Sequence, residues 1–127
     1  MTGAPSPQKP KRKSGLAHFL AAAGYSAAGL RRLARESAFR QEAILGGLAV
    51  LVLALCGASL AALAGMVALV LLLTATEALN TALEVLVDHL SPGWSEFAKD
   101  AKDLGSLAVA CVVGINAIYF LAVLICG

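Results

Sequence analysis

The chain is short of charge. Of its 127 residues only 14% are Asp, Glu, Lys or Arg and 59% are hydrophobic, whereas a soluble domain carries about 25% charge. From position 43 to 73 there is no formal charge at all, so a water-soluble globule is excluded and a small membrane protein indicated. Cysteine is scarce too: Cys56, Cys111 and Cys126 stand singly in apolar surroundings without CxxC spacing, which reads as packing rather than a metal site or disulfide framework. No GxxxxGK[ST] loop occurs, and no glycine loop with HRD and DFG partners, so any nucleotide site is built differently from those of soluble enzymes. Aromatic residues make up 6%, with no groove-reading motif, and nucleic acid is not an expected partner.

What charge there is lies unevenly. Eight of the ten basic residues precede position 41 (Lys9, Lys11, Arg12, Lys13, Arg31, Arg32, Arg35, Arg40), with Glu36 the one acid among them. A basic end suits an anionic membrane surface or the retained side of a membrane. Residues 1–14 join three prolines to the basic cluster without apolar periodicity, which predicts a disordered arm and not a cleavable signal. Residues 15–127 then form a single membrane domain.

Within that domain, Leu16, Phe19, Leu20, Ala23, Ala27, Leu30 and Ala34 recur on one helical face opposite His18, Tyr25, Arg31, Arg32 and Arg35. This predicts an amphipathic surface helix over about 15–34, with Gly24 and Gly29 as places where it could loosen. A single helix through the uncharged 31 residues would reach about 46 Å, too long for a hydrocarbon core of about 30 Å. The run must break, and the small residues at 56–59 are where it can. The expected architecture is therefore all-α: the surface helix and three transmembrane helices, about 36–56, 60–90 and 98–125, with Ser91, Pro92 and Gly93 ending the second. Asp100 and Asp103 suit the first turns of the third.

The second span ends in EALNTALEVLVD, residues 77–88. Glu77, Asn80, Glu84 and Asp88 are spaced three, four and four apart, so they share one face of an otherwise apolar helix. An ionised carboxylate in hydrocarbon costs about 2.5–3.5 kcal/mol or more, which makes such a stripe a functional-site hypothesis. If the basic end is cytoplasmic, Glu36, Glu42, the stripe, Lys102 and Asp103 all meet at the cytoplasmic face. Clustered carboxylates need cations, and hard oxygen ligands suit Mg²⁺ or Mn²⁺. Lys102 can hold a phosphate and an unliganded carboxylate can act as base. Together these are the parts of a phosphoryl-transfer site acting on a lipid. A proton-coupled transporter, with Glu77 or Glu84 as proton carrier, is the competing reading, but the outer half of each helix carries no Asp, Glu, Lys, Arg or His.

The segments AAGYSAAGL (22–30), ESAFRQE (36–42), EALNTALEVLVD (77–88) and AKDLGS (101–106) occur in an order and spacing that resembles the bacterial diacylglycerol kinases, small integral-membrane enzymes. ESAFRQE looks like the Gram-negative branch rather than the related undecaprenol kinases, which remain the alternative within the family. The resemblance implies transfer of the ATP γ-phosphate to diacylglycerol, giving phosphatidic acid, by a homotrimer in the inner membrane with its N-terminus and active site cytoplasmic. It implies Glu77 as general base and Glu36 and Glu84 as metal-ligating carboxylates. Lys102, Asp103, Tyr25 and the loop of Gly93, Trp94 and Ser95 would meet the nucleotide. Arg40, Gln41, Glu42 and Ser106 would lie near or support the lipid acceptor, and Asn80 would position. His18 stands where familiar members carry arginine beside the nucleotide, which would make that contact sensitive to pH. The proline of the SPGW loop and the long basic arm also depart from the family's pattern.

Overall fold

A computed structural model describes residues 15–126; the expected basic arm at 1–14 and Gly127 lie outside them. Four helices follow one another: α1 (Leu16–Leu33), α2 (Ser37–Leu55), α3 (Leu60–Leu90) and α4 (Glu96–Cys126), with no strand among the described residues. The last three are long and apolar enough to cross a membrane. α1 runs unbroken through Gly24 and Gly29, the helical backbone bonds outweighing the local cost of two glycines.

Each helix end has a chemical cause. Arg40 of α2 reaches back and donates to the carbonyls of Ala34 and Arg35 at 3.5 and 3.3 Å, satisfying acceptors left by the end of α1. α2 stops at a Schellman turn: Gly57 sits at φ 82°, its N–H bonds to Ala54 O at 3.1 Å, and the Ala58 N–H bonds to Leu53 O at 3.0 Å. Two residues later Ser59 caps α3 through its hydroxyl, which accepts from the Ala62 N–H at 3.2 Å. Ser95 does the same for α4, accepting from Ala98 N at 3.2 Å, and is itself held 2.8 Å from Ser91 Oγ. That cap starts α4 at Glu96, which places Glu96, and neither Asp100 nor Asp103, in the first turn.

α3 is the central element and touches the other three helices. At 31 residues it is about 46 Å long and overruns the hydrocarbon core by several turns. The overrun carries the polar stripe. The packed interior is small, formed by Leu53, Met66, Leu73, Val87 and Val109, with Leu33 buried at the end of α1. Leu48, Leu51, Leu71, Leu72, Ile118 and Leu121 point outward, as side chains do when the solvent is lipid. Two polar bonds tie α3 to α4: Tyr119 donates to Ala62 O at 3.0 Å, and Asn116 donates to Leu69 O at 3.2 Å.

Candidate functional site at one end of the helical bundle

The stripe on α3 divides between two neighbours. Glu77, only 6% exposed, turns to α2, where its carboxyl lies against that of Glu42. Glu42 Oε2 is buried without a hydrogen-bond donor among the described residues. Two carboxylates in such contact repel unless a proton or a cation offsets their charge. Glu42 also lines an apolar cavity between α2 and α4, so the pair stands at the boundary between polar surface and hydrocarbon.

The remainder of the stripe turns toward α4. Asn80 donates to Glu84 Oε1 at 3.1 Å, one helical turn along. Its own Oδ1 is buried and unpaired among the described residues. Gly105 of α4 permits this approach, because a Cβ there would collide with Asn80 Oδ1 and come within 3.3 Å of its Cγ. A turn further, Asp88 forms an ion pair with Lys102 of α4. Lys102 and Asp103, adjacent in sequence, therefore have different partners: Asp103 pairs with Lys99 at 2.6 Å. Both ammonium groups, on Lys99 and on Lys102, stay accessible to water in these pairs.

Glu36 stands at the joint between α1 and α2, half-buried, and is paired with Arg32 one turn before it. Among the described residues no three His, Cys, Asp or Glu side chains gather as a metal cage. Mg²⁺ does not require one, since it is commonly held by one or two carboxylates with the remaining positions filled by water and phosphate oxygens. Glu84 beside the orphaned Asn80 oxygen is a donor set of that kind. His18, Tyr25, Arg40, Gln41, Gly93, Trp94 and Ser106 are exposed, and Ser95 is half-buried as the α4 cap. None of these exposed side chains is drawn into the Glu77 cluster within one chain.

Sequence reasoning passed over Asn116 and the Arg32–Glu36 pair. The second had a signal in its four-residue spacing. The first had one in being a lone amide far inside an apolar run.

Comparison with known proteins identifies the family. The family model for prokaryotic diacylglycerol kinase matches residues 24–124, a span that contains every acidic residue of the chain and leaves His18 outside. A diacylglycerol kinase of Sinorhizobium sp is 43% identical over 109 residues, covering 86% of this chain and 80% of the relative. The diacylglycerol kinase of Pseudomonas aeruginosa is 40% identical over 104 residues, 81% of this chain and 85% of its own. That of Escherichia coli K12 is 35% identical over 101 residues, 79% and 83%. With its three spanning helices and its carboxylate-bearing α3 overrun, the chain belongs to the prokaryotic diacylglycerol kinase family.

Proposed function

We propose that this lipid kinase transfers the γ-phosphate of ATP to the free hydroxyl of diacylglycerol, giving phosphatidic acid, at the cytoplasmic face of a bacterial inner membrane. Family membership supports the enzyme class and sets the proton-coupled transporter aside. The observation that carries the mechanism is the position of Glu77: buried, and in contact with the carboxyl group of Glu42, which lines an apolar cavity.

The acceptor oxygen attacks the γ-phosphorus as the bond from that phosphorus to the β–γ bridging oxygen breaks, ADP departs, and the hydroxyl proton goes to Glu77. An alcohol is a far weaker acid than a carboxylic acid, so Glu77 takes the proton late, as the new bond to phosphorus forms. Glu42 beside it places the base and faces the lipid. Glu84 and Glu36 are the carboxylates that would hold Mg²⁺ or Mn²⁺, with Asn80 orienting Glu84 through its 3.1 Å bond. When bound, the ion neutralises charge on the phosphates. Lys102, whose ammonium Asp88 holds at the mouth of the site, meets phosphate as a point charge. Asp103, Tyr25, His18 and the loop of Gly93, Trp94 and Ser95 contact the rest of the nucleotide. Arg40, Gln41 and Ser106 support the acceptor end.

The working unit is a homotrimer with sites completed between copies. Support comes from the outward apolar faces, and from Gly47 and Gly114, where a Cβ would meet nothing within the chain, leaving room for a neighbouring helix.

The test is transfer of labelled γ-phosphate in vesicles holding diacylglycerol or undecaprenol, with and without a chelator. Magnesium-dependent labelling of diacylglycerol supports the proposal. Labelling of undecaprenol in preference moves the enzyme to the other branch, and transfer that survives chelation removes the metal from the site.

A further inference from the structure

Among the described residues Glu36, Asp88 and Asp103 each have a cation beside them, in Arg32, Lys102 and Lys99. Glu42 and Glu77 have each other. The carboxyl of Glu42 on α2 lies against that of Glu77 on α3. Glu77 is buried, and Glu42 Oε2 is buried with no donor among the described residues.

The elements around the pair bring no compensating charge to it. α4 runs antiparallel to α3, with Gly105 against Asn80 and Asn116 bonded to Leu69, so it passes Glu77 at about position 108. From 104 to 118 its one titratable side chain is the thiol of Cys111. On α1, which also touches α3, His18, Tyr25, Arg31 and Arg32 are exposed, as is Arg35 just after it, and Arg32 is committed to Glu36. On α2, Arg40 turns back to the carbonyls of Ala34 and Arg35. Along α3, Glu84 stands about 10 Å beyond Glu77 and His89 about 18 Å beyond it. Two adjoining carboxylates repel each other and are each penalised by removal from water, so such a pair keeps one proton between its members. That proton also answers the orphaned acceptor, because a protonated carboxyl group is a donor and the carboxylate beside it accepts. Glu77 has to be ionised to receive the hydroxyl proton, and Glu42 is the member that borders the apolar cavity. The resident proton therefore belongs to Glu42.

We propose that Glu42 is a positioning residue that holds one proton throughout the catalytic cycle and donates it as a hydrogen bond to the Glu77 carboxylate, keeping that carboxylate aimed at the acceptor hydroxyl. This role rests on the reading of Glu77 as the base of a lipid kinase. In the transfer step the hydroxyl proton comes to Glu77 while the Glu42 proton stays. The pair then carries two protons and releases one to water before the next turnover. Loss of the resident proton leaves two charges that repel each other and the γ-phosphate, so the singly protonated pair is the active form.

The experiment measures kcat of the full chain against pH at saturating MgATP and diacylglycerol. In the wild type kcat rises as the pair loses its first proton and falls, about tenfold per pH unit, as it loses the second. Glu42→Gln keeps a donor that cannot ionise, so it lowers kcat at the optimum yet lacks the alkaline fall. Glu42→Leu offers no donor and is slower than Glu42→Gln. A wild type without the alkaline fall overturns the proposal, as does a fall that persists unshifted in Glu42→Gln, or equal rates for the Gln and Leu variants. Infrared spectroscopy in an alkyl maltoside, which has no ester carbonyls, reads the proton without turnover. At neutral pH the wild type shows the C=O band of a protonated carboxyl group that Glu42→Gln lacks. Absence of that band from the wild type, as when a metal ion or a cation of a neighbouring copy offsets the pair, also overturns the proposal. If the band is present but diacylglycerol is not phosphorylated, the kinase reading fails and the shared proton loses its catalytic role.

Discussion

Asp88 in the last turn of α3 accepts from the ammonium of Lys102 on α4, fourteen residues later and across the loop between the helices. Asp88 is the member of the stripe for which sequence alone offers no role beyond a solvated helix end. The proposed mechanism gives it one through this ion pair, as the group that aims the Lys102 cation at the mouth of the site. Lys102→Met should raise KM for MgATP at least tenfold. Asp88→Asn should raise it less, and the double variant should match Lys102→Met alone, because positioning a cation that is no longer there changes nothing. Steady-state kinetics on the three variants checks this; fully additive effects would mean that the two residues act independently.

Gly105 is the second point of close approach between α3 and α4. Gly105→Ala drives a methyl group into the Asn80 amide, at a cost typical of overpacking, about 1–3 kcal/mol, and turns Asn80 away from Glu84. Thermal unfolding in detergent should show the loss of stability, and turnover should fall at least tenfold. Adding Asn80→Ala should restore stability while leaving turnover low. Restoration of both would show that Asn80 serves packing alone.

At the opposite end of the bundle, Gly65 faces the Tyr119 hydroxyl, which a Cβ would strike. Tyr119→Phe should cost about 0.5–1.5 kcal/mol by losing the bond to Ala62 O, with kcat unchanged because the site is at the other end. In a Gly65→Ala background the same substitution should cost less, since it removes the atom the new methyl group hits. A double-mutant cycle by thermal unfolding measures the coupling; an equal cost in both backgrounds would contradict the contact.

Much of this was legible in the sequence, for definite reasons. Residues 43–73 are uncharged and too long for one crossing, so a break was required, and the small residues at 56–59 are where Gly57 takes its left-handed turn. The stripe was legible because three- and four-residue spacing makes one helical face. Its division was not: whether Glu77 meets α2 while Asn80 and Asp88 meet α4 depends on how helices distant in sequence pack. Asn116 escaped notice because it has no polar neighbour at helical spacing, and its significance lies in which carbonyls occupy its amide nitrogen. The exact start of α4 was not legible, because the Ser95 cap, reinforced by Ser91, sits in a loop that also holds proline and glycine.

Glu77 as the acceptor of the hydroxyl proton is the claim on which the rest depends. Its most direct test is the turnover of Glu77→Gln, a near-isosteric change, measured on protein shown by circular dichroism to keep its helices and by equilibrium titration to bind MgATP. A general base contributes about 10²–10⁴-fold, so kcat should fall by at least 100-fold with nucleotide affinity preserved. A Glu77→Gln enzyme that phosphorylates diacylglycerol at near the wild-type rate would contradict the assignment.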